Sequence, residues 1–178
     1  MTDGTPRSGV PLRAFSHPLR LRLLSLLTGT AMSAAEASRE LGTTQANASY
    51  HLRRLEAAGL LRVVEEVEVR GGRAKRYRHD TSSARGTSDS DLDDFQVLAA
   101  AMGEELRRRT AQRRLRSPGP LTDAELWVDP EVWQDVCDRV ADAMVDLHEA
   151  ARPPRSEGAV RTSTTLSMFV MEAGESRA

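Results

Sequence analysis

Between Ser33 and Leu61 the chain reads SAAEASRELGTTQANASYHLRRLEAAGLL, and no other stretch restricts the fold as much. Apolar residues recur at helical spacing on both sides of a single break. Ala34, Ala37 and Leu41 precede it, and Ala48, Leu52, Leu55 and Ala58 follow it. Only helices place residues so spaced on one buried face. The boundaries are equally explicit. Ser33, with Glu36 three residues on, forms a capping box, in which each side chain bonds the other's backbone N–H. Gly42 breaks the first helix, Thr44 is placed to cap the second, and Gly59 ends it.

Two helices joined by a turn of roughly three to four residues containing a glycine describe a helix-turn-helix. The flanking sequence completes a larger unit. Upstream, SHPLRLRLLSLL places Pro18 in a first turn, where its missing N–H costs nothing. Its six leucines, Leu19, Leu21, Leu23, Leu24, Leu26 and Leu27, are too many for one stripe, so this helix is expected to be buried on most sides and ended by Gly29. Downstream, Val63, Val64, Val67 and Val69 favour a strand. Gly71-Gly72 supply the positive φ of a tight turn, and RAKRYRHD returns as a second strand. Three helices followed by a basic hairpin make a winged helix. Tyr77 is expected to pack beneath that wing.

The rest of the chain differs in composition. Residues 1–10 hold Gly, Pro and Ser with little to bury, and Thr81–Asp91 forms a Ser/Thr/Gly/Asp linker. These divide the chain into an N-terminal tail at 1–10, a winged helix at 11–80, a linker at 81–91 and a C-terminal region at 92–178. In that last region Leu92, Phe95, Leu98, Met102 and Leu106 mark an amphipathic helix, expected to reach Arg116 and to serve as a dimer interface. A short strand is expected over AELWV. A helix capped by Asp129-Pro130 follows, with Trp133, Val136, Cys137, Val140, Met144 and Leu147 facing inward. The alternation of Val160, Thr162, Thr164, Leu166, Met168 and Val170 predicts a closing strand. The fold class is therefore α+β: a mainly helical winged helix, a dimerisation helix, and a small helix/strand C-terminal domain.

Charge separates the same two halves. Residues 1–90 carry 14 Lys+Arg against 9 Asp+Glu, whereas residues 91–178 carry 11 against 17. A basic half joined to an acidic half suggests that the first alone faces a polyanion. No apolar run reaches the ~18 residues of a membrane span, and the N-terminus has no apolar signal core, so a cytoplasmic location is expected. The single cysteine excludes an intrachain disulfide and any cysteine-rich metal site.

The second helix of the pair has an unusual outer surface. With Ala48, Leu52 and Leu55 inward, Gln45, Ala46, Ser49, Tyr50 and Arg53 face outward, flanked by Asn47 and Arg54. A solvated surface helix would carry more Glu and Lys. A helix in the DNA major groove needs short donors and acceptors near its N-terminus for base edges, and cations for phosphates. Thr44, Gln45, Ala46, Asn47, Ser49, Tyr50, His51, Arg53 and Arg54 are therefore the candidate reading surface. Arg70, Arg73, Lys75 and Arg76 on the wing are candidates for phosphates or the minor groove. A winged helix used for protein–protein contact would instead expose an apolar or acidic face here, where Tyr50 is the one large apolar residue.

HPLRLRLLSLL, LGTTQANASYHLRRLEAAGLLR and RGGRAKRYR resemble the ArsR-type winged-helix transcriptional regulators of bacteria, over residues 11–80. The S-x-H-L-x-x-L element of Ser49, His51, Leu52 and Leu55 is among the more specific of their signatures. The later helix, Asp-Pro-Glu, helix and strand pattern resembles members with an added C-terminal α/β domain. The resemblance implies a homodimer on a palindromic operator, usually a repressor released by a signal. Metal is the best-known signal, yet this chain lacks the cysteine pair that some members carry before the turn, and residues 92–116 contain no histidine. No metal site or cofactor is expected. Cys137 and His148 lie ~16 Å apart along one predicted helix, too far to pair within the chain, and no phosphate-binding glycine loop is present, so no enzyme is expected. Trp127, Trp133 and Met144 could line a small-molecule pocket, or could be plain core.

Overall fold

The computed structural model describes residues 12–69, 72–80, 92–116 and 119–172. The expected tail at 1–10 and linker at 81–91 lie outside them. A 3₁₀ turn at Leu12–Ala14 leads into α1 (Pro18–Thr28), β1 (Met32–Ser33), α2 (Ala34–Leu41) and α3 (Gln45–Ala57). The wing strands β2 (Leu61–Val69) and β3 (Gly72–His79) follow, then α4 (Leu92–Thr110) and α5 (Pro130–Glu149). The fold is α+β, with helix-turn-helix and wing in the expected order.

Local chemistry sets each boundary. His17 caps α1, its Nδ1 accepting the Leu19 N–H at 3.1 Å. Ser33 and Glu36 form both halves of the capping box: Ser33 N–H donates to Glu36 Oε2 at 2.7 Å, and Glu36 N–H to Ser33 Oγ at 3.3 Å. Gly42 takes φ +64° after α2, a left-handed conformation that a side chain would disfavour. Arg22 of α1 adds a further cap, donating to the Leu41 carbonyl at 2.7 Å. At the end of α3, Leu60 N–H bonds Leu55 O and Gly59 N–H bonds Glu56 O, the paired closure that satisfies the last helical carbonyls. Gly29 does follow α1, but with φ −84°. Its bareness makes room instead for the Arg152 carbonyl, which a Cβ there would overlap.

The three strands form one antiparallel sheet in the order β1-β3-β2. A register shift between Val63 and Glu65 leaves Val64 unpaired and bends the wing. The core lies between the sheet and the first three helices. Leu23, Leu27, Leu52, Leu55 and Leu60 are fully buried there, joined by Ala37 and Tyr77. Each buried leucine contributes about 1.5–3 kcal/mol by leaving water. Tyr77 lies under the wing, as its spacing implied.

Beyond residue 91 the outcome differs from expectation in three ways. First, α4 ends at Thr110 rather than Arg116. The Thr110 hydroxyl donates back to the Leu106 carbonyl, and the Gln112 and Arg113 N–H groups switch to i→i−3 bonds, which tighten and close the last turn. Second, AELWV is not a strand. Third, residues 160–170 run without helix or strand. Alternation makes a strand competent to pair, but a strand exists only beside a partner strand, and no described strand of this chain pairs with it. α5 does form from Pro130, yet none of its residues is buried: Trp133, Val136, Cys137, Val140 and Met144 are half-covered, and Leu147 is exposed.

Candidate nucleic-acid interface

The interface is organised by the start of α3. Thr44 Oγ1 accepts the Asn47 N–H at 3.2 Å, and Asn47 Nδ2 donates to Thr43 Oγ1 at 3.0 Å, so short polar side chains hold the first turn in place. A helix start presents N–H groups with no intrahelical acceptor, and carries the positive end of the helix dipole. Around it, Thr44, Gln45, Ala46, Asn47, Tyr50, Arg53 and Arg54 are exposed and Ser49 is half-buried, with Ala48, Leu52 and Leu55 buried on the opposite side. The residues picked from spacing alone are brought together on one outer surface.

His51 is the exception. It is 7% exposed, its ring centroid 4.4 Å from that of His17 and 5.0 Å from that of Tyr50. Falling three residues after Ala48 and four before Leu55, it belongs to the inner side of the helix. Burial holds its pKa below the ordinary histidine value, and the charges of His17, Arg20 and Arg54 push the same way. His51 is therefore a packing residue between α1 and α3, turned away from the exposed face of α3.

The charge beside α3 is unbalanced. Arg53 Nε donates to the Ser49 carbonyl at 3.3 Å, and the Arg54 guanidinium sits 5.8 Å above the Tyr50 ring, a cation–π arrangement. Arg20, on α1, joins them. Burial lowers its pKa first, and the neighbouring Arg54 charge lowers it further. Among the described residues none of these three arginines pairs with a carboxylate. Sequence reasoning missed Arg20 because nothing in a leucine-rich helix marks which arginine packs beside the next one.

The wing cations have partners. Arg73 Nη2 lies 3.2 Å from Glu66 and Lys75 Nζ 3.2 Å from Glu56, both at exposed positions where such pairs are weak. Arg76 is more committed. Its Nη2 donates to the Ala31 carbonyl at 2.7 Å, its Nη1 to Glu65 at 3.2 Å, and its Nε lies 3.6 Å from the capping-box carboxylate of Glu36. Expected at a phosphate, Arg76 instead clamps β3 to β2, to the residue before β1 and to the start of α2. Arg70 lies outside the described residues.

Elsewhere the candidate features come apart. Leu92, Phe95 and Leu106 of the expected dimer helix are exposed, while Leu98 and Met102 are partly covered within the chain. Trp127 is 90% exposed and lines an open depression of about 420 Å³ with Val128, Asp129 and Val132, without Trp133 or Met144. A second depression of about 280 Å³ joins the wing base to α5 through Thr28, Arg62, Arg78, His79, Asp80, His148 and Glu149. There His79 Nδ1 is 3.0 Å from Thr28 Oγ1. Burial, with the neighbouring His148 charge, lowers its pKa to about 4. No group of three or more His, Cys, Asp or Glu among the described residues is placed to hold a metal ion, and none of the described helices is long and apolar enough to cross a membrane.

No curated relative matches the chain. Residues 15–64, from just before α1 to the first part of β2, match a family model described as a helix-turn-helix domain. The chain thus carries a helix-turn-helix domain of the DNA-binding kind, completed by the β2–β3 wing.

Proposed function

We propose that this protein is a sequence-specific transcriptional regulator of the ArsR type, a homodimer that binds a palindromic operator and represses by occupying it. The observation that supports this most is the carboxylate-free group of Arg20, Arg53 and Arg54 along the outer face of α3, on the side of Ser49 and Tyr50. Three cations left without counter-charge around a row of short hydrogen-bonding side chains suit a polyanion whose base edges must be read. In this reading Gln45 and Asn47 meet bases in the major groove, each good bidentate contact giving about 1–3 kcal/mol of discrimination. The arginines, the helix N–H groups and the exposed Arg73 and Lys75 meet phosphates. A homodimer follows from the half-site geometry of helix-turn-helix proteins, with α4 supplying contacts through Leu92, Phe95 and Leu106. The protein is read as cytoplasmic and non-catalytic, with any effector response falling to the region beyond residue 91.

A gel-shift titration of the purified chain against random duplex DNA at two salt concentrations tests the reading. Binding that weakens steeply with salt is the expected result. Absent or salt-insensitive binding would favour a winged helix used for protein–protein contact.

A further inference from the structure

Among the described residues, all but three of the exposed large apolar side chains lie beyond residue 91. Most of them fall on three pieces of chain: α4, the stretch Leu126–Val132, and the segment holding Val160 and Leu166–Met171. The last piece has the composition of a strand but no strand partner among the described residues. Val160, Thr162, Thr164, Leu166, Met168 and Val170 alternate on one face, β-branched residues are frequent, and no acidic residue occurs between 158 and 171. Its backbone makes no main-chain hydrogen bond among the described residues. Side-chain contacts hold it against the end of α4: Arg109 Nη1 donates to the Thr164 carbonyl at 3.1 Å and to Ser163 Oγ at 3.5 Å, and Arg161 Nη1 donates to Gln112 Oε1 at 2.9 Å. Arg109 is itself fixed by the buried Glu105, 2% exposed. The segment is thus positioned with an open edge, which is costly as a permanent state because an unpaired apolar edge invites pairing.

We infer that residues 160–170 form a strand by pairing antiparallel with the same residues of a second copy, across a twofold axis, with the half-covered apolar face of each α5 closing over the shared sheet. This rests on the homodimer proposed above and specifies how its C-terminal half is built. A second copy fits for two reasons. A strand pairing with itself about a twofold axis is antiparallel and satisfies the facing edge of each copy, since each is donor and acceptor. Charge is complementary as well. α5 carries Glu131, Asp135, Asp138, Asp142, Asp146 and Glu149, of which only Asp135 pairs with an arginine within the described chain. Arg107, Arg113, Arg114 and Arg116, at and beyond the end of α4, pair with no carboxylate there. One molecule offers an acidic helix and a basic turn that it does not join to each other, and a twofold neighbour presents both.

The test uses the full chain in light scattering and amide hydrogen exchange. The expected result is a dimer in which amides of residues 160–170 exchange about a hundredfold more slowly than in an unstructured peptide. Thr164→Pro, which removes a ladder donor, should halve the mass and abolish that protection while α1–α3 stay protected. Leu166→Asp with Met168→Asp should do the same by charging the covered face. A monomer, or a Thr164→Pro chain that remains dimeric, overturns the inference. So does a dimer whose 160–170 amides exchange freely, although that outcome leaves DNA binding and an α4-based dimer standing. Loss of DNA binding with the protected dimer intact would instead overturn the DNA reading alone.

Discussion

A single position decides whether a polar side chain on α3 faces outward or packs. Gln45 and His51 are both hydrogen-bonding residues on one helix, yet Gln45 is exposed and His51 is turned against His17. Gln45→Ala is accordingly expected to relax base preference by about 1–3 kcal/mol at one operator position, measured by competition with single-base variants. Arg54→Ala should weaken binding to all sequences and reduce the slope of log affinity against log salt by about one. His79 governs a different property. Its folded pKa of about 4 lies below the ordinary value near 6.5, so the unfolded chain binds the proton first. Stability is therefore complete above about pH 6.5 and is lost as pH falls toward 4, by on the order of 3 kcal/mol. Lowered values at His17 and His51 act in the same direction. Urea unfolding at pH 7 and pH 5 checks the loss, and His79→Gln should flatten it.

Among the elements, helices and their ends were the parts most legible in the sequence. The Ser33–Glu36 capping box, the turn at Gly42, the cap at Thr44 and the stop at Gly59 all depend on residues within four positions of one another. Their chemistry is therefore written locally. The exposed face of α3 was legible for the same reason, since helical spacing alone separates Gln45 and Asn47 from Leu52 and Leu55. What spacing could not show was long-range partnership. Arg76 and Arg73 are near-identical as wing residues, but the first meets Ala31, Glu65 and Glu36, and the second only Glu66. The two should separate under mutation. Arg76→Ala should destabilise the fold by about 1–3 kcal/mol, because it strips partners from half-covered polar groups, and thermal unfolding reads this. Arg73→Ala should leave stability within about 0.5 kcal/mol and lower the salt slope instead. The closing strand was misjudged for a related reason. Alternation marks which face a strand would bury, but not whether a partner exists in the same chain.

For the molecule as a whole, the basic winged helix and the acidic C-terminal region meet where α4 packs on α1 and the 3₁₀ turn, and at Arg13 with Asp94, Arg155 with Glu40, His79 beside His148, and the Arg152 carbonyl over Gly29. The region beyond residue 91 buries little of its own apolar surface, whereas the winged helix encloses a core of fully buried leucines. In the function proposed above, one half recognises DNA and the other sets how many copies do so together. Two α3 helices related by a twofold axis would meet half-sites one helical turn apart, about 10 base pairs. In vitro selection of duplex DNA by the purified full-length chain tests this most directly. Enrichment of one twofold-symmetric site, with the Gln45→Ala chain selecting a relaxed version of it, is the predicted result. Recovery of no enriched sequence, or of one unchanged by that substitution, would contradict the assignment of α3 as the reading helix.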